Sequence, residues 1–438
     1  MRDKTPQPND ATLPLRSNVP SFSPSTLAIH ADDPLNSASI TDVAPSLHVA
    51  TTYRYPSDPS QLRPISSYAP GAPLPHIYSR ISNPNTTRLE TILSTLLHGP
   101  SLTYASGLAA FHALLVHLAP RVVAIGDGYH GCHGVLSVYQ KLTKCRVVDL
   151  HDASSWSGVD DATGQSWSLG KGDLVHLETP LNPSGVAFDV QRFADLAHER
   201  GAWCSVDATF APPPLLDPLR WGADYVMHSG TKYFGGHSDL LCGVLTVGDQ
   251  GRGKEGVEAA YWGLYKERFL LGGVVGSLEG WLGVRSLRTL ELRVGRQSWS
   301  AGELVRWLDA LKGEGEGGDE VGRKCVWKVE HASLQARELE RTEGKDNWLS
   351  RQMPNGFGPV FGLYLADKEM ARKLPSKLEL FHHATSLGGV ESLIEWRRMS
   401  DEGVDERLLR VSVGVENVED LKADFLQGFK ALITDSKS

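Results

Sequence analysis

"ADYVMHSGTKYFGG", residues 223–236, decides how this chain is read. An apolar run ends in Ser229-Gly230-Thr231-Lys232 and is followed at once by Tyr233-Phe234. The run is near-continuously apolar, as a strand covered on both faces should be. A lysine set between a buried strand and two aromatics is placed unlike an ordinary solvated lysine. Five further stretches read the same way: "RVVAIGD" (121–127), "CRVVDL" (145–150), "DLVHLET" (173–179), "WCSVDAT" (203–209) and "LCGVLTV" (241–247). Helical patterns lie between them. In "DVQRFADLAHERG" (189–201), Phe193, Leu196 and Ala197 share a face and Gly201 closes the helix. This alternation predicts an α/β domain with a mostly parallel sheet and helices on both faces.

Outward from that core, 276–311 reads as one or two long helices and "LKGEGEGGDEVG" (311–322) as a surface loop. "FGPVFGLYLAD" (357–367) and "LLRVSVGVE" (408–416) read as strands, and "VEDLKADFLQGFKALI" (418–433) as a closing amphipathic helix, which together predict a smaller C-terminal α+β domain. Residues 1–25, rich in Pro, Ser and Asn, read as a disordered tail. Hydrophobic residues make up 41% of the 438, enough for a substantial core, and the net charge of -8 argues against a general nucleic-acid binder. The sequence has no long apolar run for a membrane span and no apolar core of a signal peptide. Five scattered cysteines without a CxxC pair fit a reducing compartment, with neither a disulfide framework nor a metal site, so a cytoplasmic protein is expected.

Ligands of an open parallel sheet bind beyond the carboxyl ends of its strands. Tyr129 follows the strand at 121–127; Glu178-Thr179-Pro180-Leu181-Asn182-Pro183 closes and follows the one at 173–179; Asp207-Ala208-Thr209 ends the one at 203–209; and Ser229 to Lys232 follow the run at 223–228. An aromatic, an amide, an acid, hydroxyls and a lysine on one edge suit an aromatic, phosphorylated cofactor with a cationic ring, such as pyridoxal 5'-phosphate. Lys232, its pKa lowered in a desolvated pocket, would attack the aldehyde as a neutral amine. Asp207 would keep the ring nitrogen protonated, and Tyr129 would supply a stacking face. In "TYASGLAAFHALLVHL" (103–118), Ser106 is a good N-cap and Gly107-Leu108 open a helix whose N-terminus favours a phosphate. Ser229 and Thr231 would add hydroxyls, and Arg80 in Tyr78-Ser79-Arg80 a bidentate donor.

Seven motifs carry a resemblance: "YSRISNPNTTRLE" (78–90), "YASGLAAFHA" (104–113), "ETPLNPSG" (178–185), "VDATFAPP" (206–213), "HSGTKYFGGHSD" (228–239), "SLGGVESLIE" (386–395) and "LLRVSVGVENVEDL" (408–421). From about 45 to 430 the chain resembles the PLP-dependent enzymes of cysteine and methionine metabolism: cystathionine γ-synthase, cystathionine β- and γ-lyases and methionine γ-lyase. The resemblance implies an aspartate-aminotransferase-like fold of type I and β- or γ-elimination or replacement on a sulfur-containing or O-acylated amino acid. It makes Lys232 the Schiff-base lysine, Asp207 the partner of the ring nitrogen and Tyr129 the stacking tyrosine. Ser106, Gly107, Leu108, Thr209, Ser229 and Thr231 fall at the cofactor, the phosphate above all. Asn182, Ser386 and Arg410 hold the substrate, with Arg410 on its α-carboxylate. Tyr78 and Arg80 reach the phosphate of a neighbouring subunit, which requires a homodimer and suggests a tetramer. The implied organisation is a tail (1–25), an arm contacting the neighbouring subunit (26–70), the PLP-binding large domain (71–275), and linking helices with the C-terminal domain (276–438).

The chain departs from that family at the distal substrate end. Gly134 stands where an arginine is usual, Thr385 where a glutamate is usual, and Ile394-Glu395-Trp396-Arg397-Arg398-Met399-Ser400 replaces a "HPA..MTH" stretch. Two charge contacts to cystathionine are therefore missing, which makes carbon–sulfur chemistry a firmer expectation than cystathionine itself. Cys132, in the same region, reads as a small lining residue, with a catalytic thiol as the alternative. "GDQGRGKEG" (248–256) has P-loop spacing but Glu255 in place of Ser/Thr. His382-His383 reads as one core and one solvent-facing histidine, and His228 and His237 as residues that orient the pocket or a subunit interface. A PLP-binding homologue with altered or lost activity is the alternative to an active enzyme.

Overall fold

The central strands ask for cover on both faces, and the computed structural model gives it to them; it describes residues 22–36, 41–64, 75–160, 163–312 and 320–435. Strands β1 (Ser101–Tyr104), β2 (Val122–Ile125) and β3 (Arg146–Asp149) come first, then a small hairpin of β4 (Ser157–Val159) and β5 (Ser166–Ser168), then β6 (Leu174–Glu178), β7 (Trp203–Asp207), β8 (Tyr225–Ser229) and β9 (Gly243–Val247). Seven of them form one sheet in the order β1-β9-β8-β7-β6-β2-β3. β3, β2, β6, β7 and β8 run parallel, whereas β9 and β1 are antiparallel to their neighbours.

Alternate residues of one strand enter different cores. Val122 and Ala124 pack in one with Phe193 and Leu287; Val123 and Ile125 pack in the other with Phe111 and Leu136. The first is covered by helices α1 (Pro24–His30), α2 (Pro84–Leu96), α5 (Val190–His198) and α7 (Ser277–Leu287); the second by α3 (Gly107–Leu118), α4 (His130–Thr143) and α6 (Gly253–Leu271). This is the expected doubly covered sheet.

Helix α8 (Leu290–Leu311) links two cores: Leu290 and Val294 pack under the large sheet, while Ala301, Leu304, Val305 and Leu308 pack under a second one. That second sheet has the order β10-β11-β14-β13-β12. Its strands are β10 (Val326–Glu330), β11 (Val360–Leu365), β12 (His382–His383), β13 (Leu393–Trp396) and β14 (Leu408–Ser412), accompanied by α9 (Glu320–Cys325), α10 (Ala332–Glu343), α11 (Trp348–Gln352), α12 (Lys368–Lys373) and α13 (Val418–Asp435). Phe425 and Phe429 of α13 fill its core. The smaller α+β domain is present as expected.

Several details differ from the sequence reading. β1 lies in residues not read as a strand; it is only four residues long and pairs with β9 at the sheet's edge. α1 begins at Pro24, inside the stretch read as a tail, because Ala28 is buried and Asp32 beyond it takes ion pairs from Arg88 (2.9 Å) and Arg288 (3.0 Å). Residues 1–21 of that stretch, and 313–319 of the expected 311–322 loop, lie outside the described residues. His382 and His383 are both exposed on β12, a two-residue strand at the sheet's edge, so neither is the core histidine expected.

Candidate active site

Lys232 lies in the turn that leaves β8, where its N–H donates to Ser229 O at 3.1 Å. Its Nζ donates to Ser386 Oγ at 2.8 Å, so the amine of the large domain meets a loop of the small one. That loop lies directly on the turn. Gly388 has φ +84°, and a Cβ there would stand 2.9 Å from the carbonyl carbon of Lys232. Burial first, and Arg410 second, push the Lys232 amine down to about 8, with Glu395 opposing. An amine in that range is still mostly protonated near physiological pH, but its neutral fraction, about a fifth, is far larger than an ordinary lysine's and is available as a nucleophile or base.

Asp207 ends β7 and is buried, 4% exposed. Its Oδ1 accepts from Thr209 N at 2.9 Å and Thr209 Oγ1 at 2.5 Å; Oδ2 takes no hydrogen bond from a described residue. Burial raises its pKa, while the two Thr209 bonds hold it back. Thr209 Oγ1 also accepts from Ser229 N at 2.8 Å, tying the ends of β7 and β8 together. In the next strand Glu178 sits opposite Asp207. Glu178 Oε2 accepts from Tyr129 N and Oε1 from Asn182 N, both at 2.7 Å. Burial, and then the charge of Asp207, raise Glu178 to about 8.

The residues fit pyridoxal phosphate. Ser106 caps α3, its Oγ accepting from Ala109 N at 3.1 Å, while the N–H groups of Gly107 and Leu108 begin the helix and have no intrahelical acceptor. Ser229 faces them, its Oγ 3.2 Å from where a Gly107 Cβ would lie and in no hydrogen bond with a described residue. These donors form an anion cradle of the kind helix N-termini supply. The space is made by two glycines, for a Cβ on Gly243 of β9 would stand 2.1 Å from Ser106 O. Thr231 is placed differently: its Oγ1 donates to Cys242 O (3.2 Å) and accepts from Cys242 N (3.0 Å), pinning the turn. On the ring side are the free oxygen of Asp207, the amine of Lys232 and the ring of Tyr129, which is 39% exposed at the start of α4.

Arg410 of β14 gathers the substrate residues. Its Nη1 donates to Asn182 Oδ1 at 3.3 Å and its Nη2 to Ser386 O at 2.9 Å. Ser386 is held at φ +81°, a left-handed conformation that a non-glycine residue adopts only when its surroundings enforce it. Glu395, across the β13–β14 register from Arg410, lies 2.6 Å from Nη2. Glu178, Glu395 and Arg397 are the site residues that sequence reasoning left without a role. Glu178 stood in a quoted motif, but its function rests on two backbone N–H bonds that a residue pattern does not display.

Cys132 is buried, and its thiol is pushed well above the usual range by burial and then by Asp207 and Glu178, so it lines the pocket and forms no thiolate. In the chain alone, burial and then Cys132 raise the Tyr129 phenol, and Arg410 and Arg397 pull it back. His228 is buried beside Phe234, with ring centroids 4.9 Å apart, and His237 bonds Gly235 O at 2.8 Å. Tyr78 and Arg80 are not brought to their own chain's lysine. Tyr78 is 42% exposed, Arg80 Nη1 donates to Phe269 O at 2.9 Å, and its guanidinium lies 5.4 Å from the Tyr78 ring centroid. At Gly134 an added Cβ would meet nothing within 4 Å, and Thr385 is exposed.

Comparison with known proteins agrees with this geometry. The chain is 31% identical over 405 residues to cystathionine γ-synthase of Escherichia coli, covering 89% of this chain and 93% of that protein. It is 30% identical over 374 residues to cystathionine β-lyase of Lactococcus lactis, covering 82% and 90% respectively. The crystal structure of an apo methionine γ-lyase from Micromonospora echinospora superposes with a TM-score of 0.75 at 31% identity, covering 93% of this chain and 99% of that one. With the sequence model of Cys/Met metabolism PLP-dependent enzymes matching residues 25–430, the chain belongs to that family, has its type I fold and takes pyridoxal 5'-phosphate as cofactor.

Proposed function

We propose that the chain catalyses β- or γ-elimination or replacement on a sulfur-containing or O-acylated amino acid, with Lys232 as both the cofactor-bearing residue and the base. The observation that carries this reading is the Lys232 amine, held near 8 and 2.8 Å from Ser386 Oγ, beside the Arg410–Asn182 pair. When bound, pyridoxal phosphate supplies a sink for the negative charge left on the substrate's α-carbon. Arg410 takes the α-carboxylate as a guanidinium fork, and Asn182 and Ser386 set that fork's angle. Lys232, which would hold the cofactor, would accept the substrate's α-proton at Nζ. Asp207 holds the proton on the ring nitrogen, and Thr209 orients Asp207. The N–H groups of Gly107 and Leu108, with the hydroxyls of Ser106 and Ser229, would bind the phosphate, while Thr231 holds the turn through Cys242. Tyr129 covers the ring.

We further propose that the active unit is a homo-oligomer in which the arm (26–70), Tyr78 and Arg80 serve a neighbouring subunit. Val43 and Val49 support this, being exposed at 102% and 82% on one chain. Five buried, unpaired cysteines suit a cytoplasmic location, and among the described residues no helix is long and apolar enough to cross a membrane.

The test is reduction of the holoenzyme with borohydride followed by peptide mapping, together with 2-oxo-acid release from L-cystathionine, L-cysteine, L-methionine or O-acetyl-L-homoserine. The label should sit on Lys232, and Lys232→Ala should lower turnover by about 10³-fold. Comparable turnover by the variant would remove Lys232 from the mechanism.

A further inference from the structure

Arg397 follows directly on β13 and turns inward, leaving 3% of the residue exposed. Its Nη1 donates to Glu395 Oε2 at 3.1 Å. Its Nε is buried without an acceptor, and Nη2 has none among the described residues. A guanidinium is a fork of N–H donors with no way to shed its charge, and this one uses a single acceptor. That acceptor is itself shared, because the same Glu395 oxygen lies 2.6 Å from Arg410 Nη2. Two buried cations therefore share one carboxylate. Ser400 Oγ donates to the other Glu395 oxygen at 2.7 Å, so both Glu395 oxygens are engaged and its one negative charge is divided between the two arginines. An excess buried positive charge is costly unless something negative joins it.

We infer that Arg397 receives a second anionic group of the substrate, a carboxylate at the far end of its side chain or leaving group, so that the enzyme prefers amino acids carrying a negative charge there. The inference rests on the proposed reading of Arg410 as the α-carboxylate site, which accounts for one guanidinium and leaves the other. Position supports it as well: Arg397 follows the strand whose Glu395 pairs with Arg410 in register, and its charge is felt by both Tyr129 and Glu178 at the pocket.

Calorimetric titration of the holoenzyme with L-2-aminoadipate and L-norleucine tests this. The two share a carbon skeleton and differ in ending in a carboxylate or a methyl group. Aminoadipate should bind about tenfold more tightly, about 1.4 kcal/mol, and Arg397→Met should erase that preference while leaving norleucine binding in place. Equal binding of the two by the wild type overturns the inference, as does a preference that survives in Arg397→Met. Should that variant not fold, Arg397→Lys takes its place; it keeps the charge but loses the fork, and an undiminished preference would again count against the inference. Failure of both ligands to bind would instead remove the amino-acid site itself, and the proposed function with it.

Discussion

At Arg410 three contacts converge from three parts of the chain: Asn182 after β6, the Ser386 carbonyl, and Glu395 on β13. Truncation to Ala leaves Glu395 buried with Arg397 as its remaining cation and deprives the substrate of its carboxylate fork. The expected result is a rise in KM of about 30- to 150-fold, from a charged hydrogen-bond pair worth about 2–3 kcal/mol, with a smaller change in kcat, read from steady-state kinetics. Glu178 makes a different prediction. Its folded pKa of about 8 lies above the ordinary 4.5. The folded chain thus prefers the protonated acid, and that contribution is complete below the ordinary value and lost as pH rises through about 8. The melting temperature of the cofactor-free protein should fall across that window, and Glu178→Gln should flatten the slope. An identical slope in the variant would assign it to other groups.

At the scale of the element, glycines set how closely segments meet. Gly388 lets the loop of the small domain rest on the Lys232 turn, and its φ of +84° combines with a 2.9 Å approach to backbone. Gly388→Ala should destabilise the protein by about 1–3 kcal/mol and lower kcat at the same time, as measured by urea unfolding and turnover of one sample. Loss of stability with intact kcat would mean that the loop does not position Lys232. The strands carrying Asp207 and Ser229 were legible because burial on both faces writes a continuous apolar run. β1 was not, because an edge strand of four residues leaves too little pattern, and the direction of β9 was not, because antiparallel pairing depends on the sheet's order rather than on the strand's own residues. Lys232 and Asp207 could be read from their place after a strand. Arg397 could not, since its inward turn and its lack of acceptors are properties of the packed site.

For the molecule as a whole, the placement of Tyr78 and Arg80 away from their own lysine carries the largest consequence. If they serve a neighbour, two inactive proteins can repair each other. Lys232→Ala keeps Arg80, and Arg80→Ala keeps Lys232. A mixed dimer then holds one intact site, and random exchange in a symmetric dimer should restore about a quarter of wild-type activity. Each variant alone and their unexchanged mixture serve as controls; no recovery after exchange would place each site within one chain.

The hydrogen bond from Lys232 to Ser386 crosses between two cores that fill and pack separately. Heredity can treat the two sides unequally. The large sheet must keep its grip on one unchanging cofactor, whereas β13 and β14 can be rewritten, residue by residue, for a new molecule. A recombinant that inherits residues 382–412 from a relative should acquire that relative's diet while keeping its own chemistry.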